Sequence, residues 1–85
     1  MRVYYEKRFE KELKALPPKI KGQFYRRLEI FLKDKDDKIL NNHGVGINFP
    51  NCRSINITGN YRAIFEDQGD TVTFIALGSH ADLYE

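Results

Sequence analysis

Five side chains in the second half of the chain have the chemistry needed to cleave a phosphodiester bond. They are Arg53, Arg62, His43, His80 and Tyr84. RNA cleavage needs a group that takes the 2′-hydroxyl proton, cations for the charge developing at phosphorus, and an acid for the leaving 5′-oxygen. Histidine transfers protons near neutral pH, and arginine binds phosphate through paired hydrogen bonds. The set therefore suits RNA cleavage, with the tyrosine stacking on a base or holding a hydrogen bond.

Each of these residues also has a simpler interpretation. A lone arginine in a strand is most often a solvated edge residue, and His43 stands in an asparagine-rich segment typical of polar surface. The sequence lacks the residue patterns for a nucleotide site, a metal site or a disulfide. Gly44-Val45-Gly46 is too short for a phosphate-binding loop, the two histidines are far apart for a metal site, and the single Cys52 excludes an internal disulfide. We therefore expect no metal and no cofactor.

The distribution of charge favours an anionic partner. The chain has 85 residues, which is room for a single domain at residues 1–85. Its net charge of +2 conceals an asymmetry, because residues 1–40 contain twelve Lys or Arg against seven Asp or Glu. A basic half suggests nucleic acid, although a solvated, lysine-rich helix surface is the alternative. With no apolar run near the roughly 18–20 residues of a membrane span and no secretory signal, we expect a cytoplasmic protein.

The first half of the chain predicts a strand followed by two helices. Val3-Tyr4-Tyr5 is β-branched and aromatic, as strands commonly are. From Glu6 to Leu16 the apolar residues recur at helical spacing, and Pro17-Pro18 ends that helix and begins another. The second helix has an apolar stripe: Ile20, Phe24, Leu28, Phe31 and Leu32. Two amphipathic helices joined by a short turn predict a helical hairpin with one apolar side.

The second half predicts a loop and then an antiparallel meander. The loop is expected at residues 41–51, which are rich in Asn and Gly. Three strands are expected to follow: residues 53–58, 61–66 and 71–77. Gly59-Asn60 and Gln68-Gly69-Asp70 supply the turns, and Gly78-Ser79 is expected to end the last strand, leaving a short tail at residues 80–85. The expected fold is α+β in the order β-α-α-β-β-β, with the helical hairpin on one face of a small, mostly antiparallel sheet.

Four segments match the motifs of one known family. They are residues 9–17, Leu40-Asn41-Asn42-His43, the hairpin from Arg53 to Phe65, and Gly78-Ser79-His80-Ala81-Asp82-Leu83-Tyr84. Through them the chain resembles the RelE/ParE superfamily of bacterial toxins, nearest its YafQ-like and RelE-like messenger-RNA interferases. The resemblance covers almost the whole chain, and the hairpin is its most specific stretch. It implies a RelE-like fold, related to that of microbial ribonucleases.

The resemblance also implies a function and partners. The chain would be the toxin of a type II toxin–antitoxin module, a metal-independent endoribonuclease that cuts mRNA on the ribosome and is neutralised by a co-expressed antitoxin. Lysines within residues 7–38 would contact ribosomal RNA, with salt-sensitive affinity. Two alternatives stay open: a ParE-like inhibitor of DNA gyrase without nuclease activity, and a catalytically degenerate member of the family.

Residue roles follow from the resemblance position by position. His80 matches a terminal histidine that transfers a proton in the YafQ-like branch, and Tyr84 matches the terminal aromatic residue of both branches. Arg62 matches an arginine that stabilises the scissile phosphate in RelE-like toxins, and Arg53 matches a basic strand position. His43 matches a loop histidine that assists catalysis in the YafQ-like branch.

Two positions depart from the YafQ-like pattern. That branch has a histidine and an aspartate where this chain has Asn56 and Asn60, and asparagine cannot exchange protons near neutral pH. The identity of the general base is therefore open, and His43 is the best remaining acceptor if its loop folds back onto the sheet. His80 is expected to be the general acid or base. Four residues are expected to contact RNA: Arg53, Arg62, Asn56 and Asn60.

Overall fold

Two amphipathic helices pack on one face of a sheet, and a short third helix lies on the other face. A computed structural model describes residues 1–84 of the chain. Its helices are α1 (Lys7–Ala15), α2 (Pro18–Lys33) and α3 (His80–Tyr84), with a 3₁₀ turn at Lys38–Leu40. Its strands are β1 (Arg2–Tyr5), β2 (His43–Gly44), β3 (Cys52–Asn56), β4 (Tyr61–Asp67) and β5 (Thr71–Ser79). The predicted α+β order is present in these residues, with β2 and α3 in addition.

Proline sets the turn between the two long helices. α1 ends at Ala15, and Pro18 opens α2 at a position where its missing N–H needs no partner. Phe31 on α2 is buried, whereas Leu32, predicted in the same stripe, is exposed. Consecutive helical residues are turned by about 100°, so a helix that buries one of them turns the next away. Among residues 1–84, no helix has both the length and the apolar character needed to cross a membrane.

The sheet is mixed, with a single parallel pair at one edge of its described part. Its strand order is β1-β5-β4-β3-β2. β1 runs parallel to β5, which the intervening helices make possible, and the other pairs are antiparallel. The predicted meander of β3, β4 and β5 is therefore confirmed. It places the β3–β4 turn beside the end of β5, where α3 begins.

Phenylalanine rings fill the space between the helical hairpin and the sheet. The ring centroid of Phe74 lies 5.2 Å from Phe9, 5.8 Å from Phe24, 5.5 Å from Phe31 and 5.8 Å from Phe65. All five side chains are fully buried. A second, smaller apolar cluster covers the opposite face of the sheet: Cys52, Ile64, Ala76 and Leu83. Apolar side chains thus cover both faces of the sheet, and α3 packs on the second one through Leu83.

Three predictions about chain segments were wrong. β5 does not stop at Leu77, because Gly78 pairs with Arg62 and Ser79 pairs with Tyr61. The expected tail is the helix α3 at residues 80–84, while Glu85 lies outside the described residues. The expected loop at residues 41–51 contains β2, which pairs with β3. The longer β5 and the presence of β2 arise from strand pairing, and α3 arises from capping contacts at Ser79 and Asp82.

Candidate active site

A cleft on the sheet face opposite α1 and α2 brings four of the predicted site residues together. They are His43, Arg62, His80 and Tyr84. The cleft has a volume of about 480 Å³, and loop residues complete its lining: Asn41, Gly44, Val45, Gly46, Ile47 and Asn48. The four predicted residues come from β2, β4 and α3, so the fold makes neighbours of positions far apart in the chain.

The strand β2 carries His43 to the cleft. His43 pairs with Ser54, and Gly44 pairs with Arg53, so the loop folds back onto β3. The Nδ1 atom of the His43 ring lies 2.7 Å from the main-chain oxygen of Asn41. Because a carbonyl oxygen only accepts, Nδ1 carries the proton, and Nε2 of the neutral ring is then a proton acceptor. Asn41 has a left-handed backbone with φ of 48°, which asparagine tolerates better than most residues.

Arg62 reaches the cleft from β4 with part of its guanidinium unpaired. Its Nη1 lies 3.0 Å from the main-chain oxygen of Thr58, 3.1 Å from that of Gly59 and 3.2 Å from that of Tyr61. These contacts with the β3–β4 turn fix the position of the guanidinium. Within residues 1–84, Nε and Nη2 have no hydrogen-bond partner, and no carboxylate forms an ion pair with Arg62. Arg62 can therefore present two further donor nitrogens to a phosphate.

A capping box begins α3 directly after β5. The Ser79 hydroxyl accepts a hydrogen bond from the N–H of Asp82 at 3.1 Å, and the Asp82 carboxylate accepts one from the N–H of Ser79 at 3.4 Å. Such a reciprocal pair satisfies N–H groups that lack partners within the helix. The N–H of His80 donates to the main-chain oxygen of Asn60 at 2.9 Å. The first turn of α3 is thus attached both to its own cap and to the β3–β4 turn.

His80 and Tyr84 lie one helical turn apart and contact each other. Their ring centroids are 4.7 Å apart with an angle of 56° between the planes, and Phe49 meets Tyr84 nearly edge-on at 6.3 Å. α3 lies close to β5 at Gly78, where a Cβ would lie 3.4 Å from that of Asp82, in ordinary contact. The Tyr84 hydroxyl is buried without a partner among the described residues. The interactions of Tyr84 among the described residues are therefore ring contacts, with His80 and with Phe49.

The segment between β2 and β3 forms a wall of the cleft. The N–H of Val45 donates to the oxygen of Cys52 at 3.1 Å, and the N–H of Phe49 donates to the oxygen of Val45 at 2.9 Å. Val45 and Phe49 also pack against the apolar cluster on this face of the sheet. Ile47, between them in sequence, is 99% exposed. The wall is thus anchored at both sides and carries an apolar side chain at its rim.

Arg53 does not line the cleft. Side chains alternate across a strand, and Arg53 lies on the same face of β3 as Ile55, which packs with the long helices. Its Nε donates to the side-chain oxygen of Asn42 at 2.6 Å, and its Nη2 donates to the main-chain oxygen of Asn42 at 3.4 Å. The structure therefore separates Arg53 from the other four predicted catalytic residues.

The two asparagines that depart from the YafQ-like pattern lie beside the cleft. Asn56 pairs with Arg62 in the β3–β4 register, and its side-chain oxygen is buried with no partner among residues 1–84. Asn60 is exposed in the β3–β4 turn, and its main-chain oxygen is the acceptor for His80. Both asparagines are near the predicted site, and their amides can form hydrogen bonds but cannot exchange protons near neutral pH.

Sequence reasoning missed α3 and the contacts of Asn41 and Asn42. A signal for α3 was present, because Ser79-His80-Ala81-Asp82 has the spacing of a capping box and is followed by the apolar Leu83. No comparable signal marks the two asparagines. They stand in a segment rich in Asn and Gly, and their contacts depend on the pairing of β2 with β3.

The charge and donor set of the cleft suit an anionic substrate. Arg62 supplies a permanent positive charge, His43 and His80 supply two imidazoles, and no Asp or Glu is among the lining residues. Within residues 1–84, no group of three or more His, Cys, Asp or Glu is placed to hold a metal ion. The side chains of the cleft are therefore of the types that can accept a proton, donate a second one and bind a phosphate.

Comparisons with known proteins agree with this fold. The family described as ParE toxin of type II toxin-antitoxin system, parDE, matches residues 3–84. YafQ from E. coli strain BL21(DE3) superposes with a TM-score of 0.83 at 14% identity, covering 100% of both chains. The toxin–antitoxin complex DinJ-YafQ from E. coli superposes with a TM-score of 0.81 at 14% identity, covering 98% of this chain and 96% of that one. The RelB-RelE antitoxin–toxin complex from Methanococcus jannaschii superposes with a TM-score of 0.76 at 25% identity. The match covers 96% of this chain and 95% of that one. No curated protein matches the sequence.

Proposed function

The chain belongs to the ParE toxin family of type II toxin–antitoxin systems, and we propose that this toxin is a ribosome-dependent mRNA endonuclease. The observation that carries the proposal is the grouping of His43, Arg62 and His80 around one cleft. A protein that only binds a target has no need of two imidazoles beside an arginine with unpaired nitrogens. The same three residue types are those that cleavage of RNA through its 2′-hydroxyl requires.

The proposed reaction begins at His43. Its Nε2 takes the proton of the 2′-hydroxyl, and the 2′-oxygen forms a bond to phosphorus as the bond from phosphorus to the 5′-oxygen breaks. A protonated His80 gives its proton to that departing oxygen. The products are a 2′,3′-cyclic phosphate and a 5′-hydroxyl, and exchange of protons with water restores both imidazoles. No metal ion is required in this scheme.

Arg62 stabilises the negative charge that builds on the phosphate oxygens during this step. Its Nη1 is already engaged with main-chain oxygens, so the guanidinium does not have to be ordered when RNA binds. A charged group that is already in position lowers the barrier more than a group that must first reorganise. The Tyr84 ring supports His80 from the next turn of α3, and Asn56 and Asn60 contact the RNA as hydrogen-bonding groups.

Partners outside the cleft complete the proposal. The antitoxin-bound states of YafQ and RelE support a cognate antitoxin for this chain. A second cleft of about 330 Å³ offers such a protein an apolar surface flanked by charge: Tyr5, Glu10, Leu13, Lys14, Lys21, Phe24 and Tyr25. The ribosome presents mRNA to the active cleft in the cytoplasm, and lysines on α1 and α2 contact ribosomal RNA.

Expression of the protein in cells, followed by primer extension on a reporter mRNA, tests this function. We expect breaks within the translated region, and no breaks when the start codon of the reporter is removed. His80→Ala should abolish the breaks while the protein still binds its antitoxin. Growth arrest without breaks in the reporter would show that the endonuclease proposal is wrong.

A ParE-like DNA gyrase inhibitor is the second candidate, because the family that matches this chain is named after the ParE toxin. Such an inhibitor would block supercoiling by purified gyrase, and His80→Ala would leave that block intact. A degenerate toxin, which Asn56 and Asn60 keep under consideration, would bind antitoxin but neither cut mRNA nor inhibit gyrase. The reporter and supercoiling assays together separate all three.

A further inference from the structure

A chain of hydrogen bonds holds the residue that precedes His43. Arg53 donates to both oxygens of Asn42, at 2.6 Å for the side chain and 3.4 Å for the main chain. The Asn42 amide nitrogen then donates to the main-chain oxygen of Lys35 at 2.9 Å. The Lys35 ammonium forms a 2.6 Å ion pair with Asp67 at the end of β4. Asn42 is therefore attached to β3 and, through Lys35, to β4.

These bonds matter because β2 is too short to hold His43 by itself. It has two residues and lies at the edge of the described sheet, beside β3 alone. The His43 side chain is exposed and is bonded only to Asn41 among the described residues. Short edge pairings open easily, so the orientation of the imidazole depends on what fixes the segment before it.

We propose that Asn42 is a positioning residue for His43, and that Arg53 acts on cleavage through Asn42 instead of through the RNA. This inference rests on the proposed function, in which His43 is the general base. It gives Arg53 a role that agrees with its place on the helix-facing side of β3. It also gives Lys35 and Asp67 a role in supporting the active site, although neither residue lines the cleft.

The ion pair between Lys35 and Asp67 is partly buried and stays charged at neutral pH. The Lys35 and Asp67 side chains are 30% and 20% exposed, so their ion pair is partly shielded from water. The hydrogen bond from Lys35, followed by the N–H of Gly69, lowers the pKa of Asp67 against the opposing effect of burial, and the charge of Arg53 adds to the lowering. Asp67 is thus charged at neutral pH and keeps Lys35 in place for Asn42.

A double-mutant cycle on single-turnover cleavage of ribosome-bound mRNA tests this inference. We expect Asn42→Ala and Arg53→Ala each to slow cleavage roughly tenfold, because small displacements of a catalytic group are costly. His43→Ala should slow it by about two orders of magnitude. If Asn42 and Arg53 act through His43, adding either substitution to His43→Ala should cause no further loss.

A further tenfold loss for Arg53→Ala in the His43→Ala background would overturn the inference, because it would mean that Arg53 acts on the RNA directly. A wild-type rate for His43→Ala would instead overturn the assignment of the base in the proposed function. Gln68→Ala, which removes an exposed amide with no side-chain bond among the described residues, is the matched control and should cleave at the wild-type rate.

The tautomer of His43 gives a readout that does not depend on cleavage. Imidazole nitrogen NMR of the free toxin should show the proton on Nδ1 in the wild type and in Gln68→Ala. In Asn42→Ala we expect a mixture of both tautomers with Tm within a few degrees of wild type. Asn42→Asp keeps the acceptor for Arg53 but loses the donor to Lys35. Its fraction of the Nδ1-protonated tautomer should lie between those of the wild type and Asn42→Ala. An unchanged, single tautomer in Asn42→Ala would contradict the inference.

Discussion

The main-chain N–H of His80 donates a hydrogen bond to the main-chain oxygen of Asn60 over 2.9 Å. This bond joins the first residue of α3 to the turn between β3 and β4. Arg62 is anchored to the same turn through the oxygens of Thr58 and Gly59. The same turn therefore contacts both the proposed acid, His80, and the proposed phosphate-binding cation, Arg62. The His80 contact uses main-chain atoms only, so side-chain variants of His80 can test chemistry without removing it. The Arg62 contacts use its side-chain Nη1, so variants of Arg62 change them as well.

Substitution of His80 should separate catalysis from folding. His80→Gln keeps the main-chain bond to Asn60 and a polar side chain, but it cannot transfer a proton near neutral pH. We expect His80→Gln and His80→Ala to lose two or more orders of magnitude in the cleavage rate, with Tm close to that of the wild type. Single-turnover rates on ribosome-bound mRNA measure this. Activity within a few-fold of wild type in His80→Gln would remove His80 from proton transfer.

The cleavage rate should depend on the shape of the Arg62 side chain as well as on its charge. Arg62→Lys keeps one positive charge but cannot hold the turn oxygens and offer two donors to a phosphate at once. We expect roughly tenfold slower cleavage for Arg62→Lys and at least 100-fold for Arg62→Ala. A lysine variant as fast as wild type would mean that only the charge matters.

Gly78 tests whether the position of α3 controls the cleft. A Cβ at residue 78 would lie 3.4 Å from the Cβ of Asp82 and 3.6 Å from Leu83, which is ordinary contact. Gly78→Ala should therefore be tolerated. Gly78→Val adds two methyl groups beyond a Cβ that already contacts Asp82 and Leu83, so we expect α3 to shift and cleavage to fall at least tenfold. Equal rates for the two variants, measured on the ribosome, would show that α3 does not need this close approach.

The ion pair of Asp67 should make stability depend on acid pH. Its pKa is lowered in the folded chain, chiefly by the hydrogen bond from Lys35, so the unfolded chain binds protons more readily. The stabilisation is complete above the ordinary carboxyl pKa of about 3.9 and disappears as the pH falls through the lower folded value. Urea unfolding between about pH 2 and pH 5 measures it.

Asp67→Asn should flatten that pH dependence, because an amide does not titrate in this range. Asp70→Asn is the matched control, since Asp70 is exposed and forms no ion pair among the described residues. It should retain the wild-type slope. If Asp67→Asn and the wild type lost stability in parallel as the pH fell, the ion pair with Lys35 would not be the source of the effect.

Local sequence patterns were sufficient for most of the fold. The alternation of Ile55 and Ile57 with polar residues predicts β3, and the apolar spacing around Phe24 and Phe31 predicts α2, because both patterns follow directly from backbone geometry. β2 could not be predicted in this way. It has only two residues, too few to show an alternating pattern, and it exists only through its pairing with β3.

The candidate site was predictable in residue type more than in placement. His43, Arg62, His80 and Tyr84 were identified from their chemistry and from the resemblance, and the structure places them around one cleft. Arg53 was grouped with them because of its charge and because the resemblance matches it to a basic strand position, but neither reason fixes which side of the sheet a strand arginine faces. Only the register, which pairs Arg53 with Phe65 and sets its face, reveals that its partner is Asn42.

The most direct test of the account measures where and how a defined mRNA is cut by the purified toxin, with and without a ribosome. We predict cleavage of the ribosome-bound mRNA to fragments that end in a 2′,3′-cyclic phosphate and begin with a 5′-hydroxyl, and almost none of the free RNA. A protein of 85 residues has little surface to position RNA by itself. An intact mRNA on the ribosome after full incubation with the toxin would contradict the account.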